Sequence, residues 1–260
     1  MTACATLPAL ARYTIGLADD ALVLAQRCGE WITRAPQLEE DVALANIGLD
    51  LLGQARSLLT YASQVEDDGR DEDDLAYLRD ERDFLNVQLV EQENGDFAVS
   101  MARLLVFSAY SYELYRRLQR STDETLAAVA AKAIKEVDYH RDHAREWVLR
   151  LGDGTDVSHE RMQTGLDTVW PYVDELFATT SRHGSWPPPE LLQNGVAVDP
   201  SQLREPAIAY VQQVIDDATL DLPTVSWAAT GGRQGIHSSP MGHLLAELQH
   251  IHRSYPGASW

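Results

Sequence analysis

Residues 38–59 read LEEDVALANIGLDLLGQARSLL, and apolar side chains fall on nearly every side of the helix this stretch would form. Inside the run, Asn46, Asp50 and Gln54 recur at i,i+4 spacing. A helix apolar all round is expected to be buried, so these polar groups must find partners in a core or serve a site. Upstream, residues 7–31 carry Leu10, Thr14, Leu17, Ala21, Leu24, Cys28 and Trp31 alternately four and three apart, a seam that packs on a neighbouring helix. Pro36 separates the two helices, and Glu39, Glu40 and Asp41 suit the positive end of the second.

The helical period continues downstream. Residues 66–74, acidic and containing a glycine, read as a turn, 75–92 as a helix ended by Asn94-Gly95, and 96–120 as a fourth helix. Ser121 and Glu124 have capping-box spacing for a fifth. In it Ala130, Ala133, Val137, His140, Ala144, Trp147 and Leu151 form a seam, with Gly152 and Gly154 just past the end. A sixth helix over 158–179, a loop over 181–200 with three consecutive prolines, and a seventh helix over 201–219 follow. Residues 222–236 are irregular, and Ser239-Pro240 opens a last helix. Strand-like alternation is almost absent. The expectation is an all-α chain forming one domain over 1–260, an antiparallel helical bundle over about 7–180 with additional C-terminal helices over about 200–260.

Composition removes several function classes. With 21 basic against 40 acidic residues the formal charge is −19, which opposes nucleic acid and anionic membranes. No uninterrupted apolar run approaches the roughly 18 residues of a membrane span, and no leader pattern opens the chain. Cys4 and Cys28 are too few for a thiolate cluster or a disulfide framework, and Cys28 reads as core. A cytoplasmic location is expected.

A helical bundle with buried acids invites a test for a carboxylate-bridged metal pair, in which Glu-x-x-His motifs place two ligands on one helix face. Only Glu247–His250 in the last helix and Asp156–His159 at a turn have an acid followed three residues later by histidine. In the central helices the nearest matches are Asp50 with Gly53 and Glu136 with Tyr139, so the acids stand without imidazoles. The bundle therefore reads as a degenerate metal site comprising Asp19, Asp50, Lys132, Glu136, Tyr139 and His140. Lys132 and Glu136, with Asn46, Asp50, Gln54 and Tyr139, are expected to fill its space with an ion-paired, hydrogen-bonded network. His243, Glu247 and His250, with His237 and His252 nearby, read as an exposed polar face. Two rival readings are a free-standing di-metal oxidase or oxygenase using Asp19 or Asp20, Asp50, Glu136 and His140, and a self-associating helical protein.

Six stretches carry a resemblance: RAPQLEEDVALANIGLDLLGQARSLLTYA at 34–62, RDERDF at 79–84, VEQENGDFA from Val90, AAKAIKEVDYH from Ala130, LGDGTDVS from Leu151, and TGGRQGIHSSPMGHLLAELQHIHRSYPGASW at 230–260. Together they resemble the C-subunit family of multicomponent phenylacetyl-CoA epoxidases. The resemblance implies a ferritin-like, non-catalytic structural subunit that supports a homologous di-iron catalytic A subunit and the other epoxidase subunits. The complex epoxidises the aromatic ring of phenylacetyl-CoA with O₂ and electrons from NADPH, delivered by a reductase subunit with FAD and iron–sulfur centres. No cofactor is implied for this chain and no catalytic residue, while Asp83, Phe84, Leu85 and Asn86 match a segment implied to contact the CoA thioester.

Overall fold

The computed structural model describes residues 7–181 and 184–258. Ten helices run through the described residues: α1 (Ala9–Gly29), α2 (Leu38–Glu66), α3 (Glu72–Tyr77), α4 (Gln88–Glu91), α5 (Phe97–Leu118), α6 (Glu124–Gly152), α7 (Asp156–Val169), α8 (Pro189–Gln193), α9 (Arg204–Asp217) and α10 (Ser239–Ser254). The only sheet among the described residues is a two-residue antiparallel pairing, Thr180–Ser181 with Gly184–Ser185. The fold class is the expected all-α one, built from the long helix pairs that make a ferritin-like bundle. Cys28 is buried, as expected of a core residue, and Cys4 lies outside the described residues.

The chain divides into two compact units. Unit 1 comprises Met1–Arg34, Leu38–Glu93 and Gly231–Trp260, and unit 2 comprises Ala35–Gln37 and Asn94–Thr230. The C-terminal segment from Gly231 therefore belongs with the first helices, and the division differs from the expected one between bundle and C-terminal extension.

In unit 1, α1 packs chiefly on α2 across a short connection, an antiparallel helix hairpin. The helix buried on every side is α1, in which residues 13–25 are all buried, and not α2 as its composition suggests. One face of α2 meets α1 through Leu44, Ile47, Leu51, Ala55, Leu58 and Ala62, which are buried. Four further apolar residues, Leu38, Val42, Leu49 and Leu52, stay exposed, Leu38 at 74% and Leu49 at 64%. Apolar side chains on all sides of α2 thus pack on α1 along one face, touch α3 toward the C-terminal end, and leave a second seam exposed.

The helix expected over 75–92 is interrupted. An Asp71 capping box with Asp74 starts α3 inside the acidic stretch read as a turn. A single 3₁₀ turn, Glu81–Asp83, follows, and residues 84–87 are extended before α4. Helical propensity is overridden because the amides of Leu85 and Val87 are taken by carboxylates of α1, an alternative to a helical ladder.

The C-terminal return seals this segment. Gly231 and Gly235 have φ of +113° and +71°, and a Cβ on Gly235 would overlap the Arg82 carbonyl, as one on Gly232 would overlap that of Asn86. Gly235→Ala combines a left-handed backbone with a backbone collision, so it should cost about 2–4 kcal/mol in urea unfolding. A loss below about 0.5 kcal/mol would show that the approach is looser than this.

In unit 2, α5 packs on α6, α7 and α9, and residues 100–111 are buried on all sides. Asp123, not Ser121, caps α6, accepting from the Leu126 amide. The buried seam of α6 follows expectation through Ala130, Ala133, Val137, His140 and Ala144, then continues to Val148 and Gly152 instead of Trp147 and Leu151. A straight helix has 3.6 residues per turn, so a seam written with period 3.5 drifts by a residue over several turns. The expected sixth helix ends early: α7 begins at a Thr155–Ser158 capping box and gives way to 3₁₀ turns Trp170–Tyr172 and Asp174–Phe177 at Pro171. The loop over 181–200 contains α8, and α10 starts with Ser239 already helical and Ser238 as its cap position.

Candidate functional site

A buried polar cluster lies in unit 1, where α1 presents adjacent acids to the extended segment. Asp19 is fully buried and receives both terminal nitrogens of Arg79, at 2.5 and 3.0 Å, together with the Leu85 amide at 2.8 Å. Arg79 also lies over the Phe84 ring, 4.1 Å from its centre. Asp20 receives Arg233 through two nitrogens, at 2.6 and 3.1 Å, and the Val87 amide at 2.9 Å. Arg233 further donates to the carbonyls of Gly16 and Leu85. Burial drives the Asp20 carboxyl up to about 6, against the opposing pull of Arg233 and the Val87 amide.

A second node forms around Glu91. Its carboxylate accepts from Ser238 through both amide and hydroxyl, from Asn86 Nδ2 and from the His237 ring. Arg27 of α1 donates twice to the Glu91 carbonyl. Asp19, Asp20, Arg79, Arg233 and His237 thus satisfy backbone groups of residues 83–87, which have no sheet partner, and Glu91 holds the Asn86 side chain. Of these, the sequence singles out only the acids of α1 as site residues. The remaining signals are an Asp-Asp pair set in an apolar run and an Arg and a His inside the glycine-rich C-terminal motif.

The residues of the expected degenerate metal site do not share one environment. On α2, Asn46 is exposed, Asp50 half-buried and Gln54 buried. On α6, His140 is buried, Glu136 is half-buried, Tyr139 is exposed, and Lys132, 3.8 Å from Glu136, is 71% exposed. The network expected to fill a core is therefore corrected: Asn46, Lys132 and Tyr139 are surface groups, because α2 and α6 each bury only one face. A di-iron pair fits this donor set poorly. Both Asp19 oxygens already accept from Arg79, and Asp20 is held likewise by Arg233, so each carboxylate is already paired with a positive charge. No group of three or more His, Cys, Asp or Glu among the described residues could hold a metal ion.

The segment implied to contact a CoA thioester is mostly internal. Phe84, Leu85 and Asn86 are buried, and Asp83 alone is partly exposed. Asn86 does not face solvent, because the C-terminal return covers it.

Each unit carries a surface cavity of about 310 Å³. That of unit 1 is floored by Leu22, Ala55, Leu59 and Ala76, edged by Leu52, and rimmed by Arg56, Glu72, Asp73 and Tyr77. It prolongs the exposed seam of α2 toward α3. In unit 2, Phe97, Trp147, Leu151 and Val157 line the other. Its polar residues Asp96, Thr155 and Ser158 are engaged in capping α5 and α7.

The sequence matches the family model for phenylacetic acid catabolic proteins over residues 2–260. The chain belongs to the phenylacetic acid catabolic protein family. It is 47% identical over 251 residues to the Escherichia coli (strain K12) protein named as the C subunit of 1,2-phenylacetyl-CoA epoxidase, an alignment spanning 96% of this chain and 99% of that protein. The resemblance carried by six stretches of sequence therefore extends over the whole chain. Among the described residues of this family member, no helix is long and apolar enough to cross a membrane.

Proposed function

We propose that this chain is the structural, non-catalytic subunit of a phenylacetyl-CoA epoxidase, pairing with and supporting the di-iron catalytic A subunit. The full-length relation to a protein named as the C subunit of that enzyme carries the reading. Two features of the structure support it. The acids of α1 are neutralised by guanidinium groups, which suits a bundle maintained for its shape. The open seam Leu38, Val42, Leu49 and Leu52, spaced four, seven and three apart, suits a helix of a homologous partner. In this reading the iron belongs to the catalytic subunit and NADPH, FAD and iron–sulfur chemistry to the reductase, while this chain contributes binding surface and rigidity in the cytoplasm.

Co-expression of the untagged chain with the catalytic subunit, followed by size exclusion and metal analysis, tests this. A stable hetero-oligomer is expected, with iron near zero in this chain purified alone. Iron near two per chain, or ring oxygenation by the chain without a partner, would overturn the non-catalytic reading. A homo-oligomer unchanged by the catalytic subunit would overturn the pairing.

A further inference from the structure

We infer that residues 231–238 form a latch locked by one proton, in which the imidazolium of His237 ties the extended segment 84–91 to the C-terminal return of the chain, and loss of that proton loosens both.

The hydrogen-bond geometry requires two N–H groups on the ring. Nδ1 lies 2.7 Å from Glu91 Oε2, and Nε2 lies 3.0 Å from the Phe84 carbonyl oxygen. A carbonyl only accepts. The Glu91 carboxylate is already an acceptor throughout: Oε1 receives the Ser238 amide at 2.5 Å and hydroxyl at 2.7 Å, and Oε2 receives Asn86 Nδ2 at 2.8 Å. Neutral imidazole has a single N–H, so a deprotonated ring would turn a lone pair toward one of these two acceptors. The side chains of His237 and Glu91 are both 0% exposed, so water cannot repair the mismatch without opening the segment.

Charged groups surround the pair from each neighbouring element. Asp19 and Asp20 stand on α1 with their partners Arg79 and Arg233, Arg27 of α1 donates to the Glu91 and Pro240 carbonyls, and Glu81 of the 3₁₀ turn lies against Gly242 of α10. Burial disfavours the charged ring, but the Glu91 hydrogen bond and charge, with the Phe84 carbonyl, outweigh it and hold His237 above the usual histidine value. A group with a raised folded-state pKa contributes stability that is complete below its unfolded value and is lost as pH rises through the folded one. The latch is therefore closed below the usual histidine value and loosens as pH rises through the higher folded-state one.

Nitrogen-15 NMR of the histidine rings and amide hydrogen exchange, both on the full chain from about pH 6 to 10, test the latch. The expected result is a His237 ring doubly protonated in the folded chain at the acid end of the range, titrating above the usual histidine value of about 6.5. Protection factors for the Leu85 and Val87 amides should fall at least tenfold across that titration. Glu91→Gln should lower the midpoint, and His237→Gln should make protection at 84–91 weak at every pH. A ring that holds a single N–H already at about pH 6, or protection that ignores the titration, would overturn the proposal. Should both variants fail to fold, the ring spectra and exchange of the unmodified chain decide by themselves.

Discussion

Arg233→Met should destabilise the chain by about 3–5 kcal/mol in urea or guanidinium unfolding, because it strands a buried carboxylate. Methionine occupies much the same volume as the arginine stem, so packing loss is small and the electrostatic effect dominates. Asp20 would keep its Val87 amide but lose its ion pair, and the Gly16 and Leu85 carbonyls would lose a donor. Such a deficit depends on pH. Burial already raises Asp20 to about 6 with the arginine in place, and removing the guanidinium takes away the interaction that opposed the rise. A raised carboxyl favours the folded state as it takes up its proton, so the variant's deficit should be largest above the folded-state value and shrink as pH falls toward about 4. The double variant Asp20→Asn with Arg233→Met retains an acceptor for Val87 without a charge, and should recover at least about 1 kcal/mol relative to additive losses. A single variant within about 1 kcal/mol of the parent, or a strictly additive cycle, would show that the pair is not a buried electrostatic unit.

The dependence of Asp20 on Arg233, a residue near the other end of the chain, shows where sequence reading stops. Long helices are written locally: the period of α1, α2, α5 and α6 places them within a few residues of their observed ends, since each continuous seam needs only its own spacing. Residues 75–92 fail for the opposite reason. Their helical spacing is real, but the competing acceptors, Asp19 and Asp20, and the covering donors, Arg233 and His237, come from the two ends of the chain and cannot be seen locally. The same holds for burial. LEEDVALANIGLDLLGQARSLL says correctly that both faces of α2 are apolar, and it cannot say whether the second face is covered by this chain or another. Helical spacing alone puts Lys132 and Tyr139 in a core, yet an i,i+4 partner such as Glu136 forms equally well at a surface. The missing imidazoles, by contrast, are fully legible, because a ligand motif is a matter of residue type and spacing on one helix.

On the proposed pairing, Leu49→Glu should lower the affinity of this chain for the catalytic subunit at least about 100-fold, equivalent to about 2.7 kcal/mol, while leaving the chain's own unfolding midpoint nearly unchanged. The two halves of that expectation come from one fact. Leu49 is 64% exposed within the chain, so a charge there loses little hydration in the isolated protein, and glutamate is a good helix former. Under a partner helix the same carboxylate would be desolvated within the seam that runs from Leu38 to Leu52. The conservative change Leu49→Met keeps an apolar knob and should bind within a few-fold of the parent. Titration of the labelled catalytic subunit with each variant, beside urea unfolding of the variants alone, separates the outcomes. Undiminished binding by Leu49→Glu would move the interface off α2, and a parallel loss of folding would mean that the seam is covered within the chain itself.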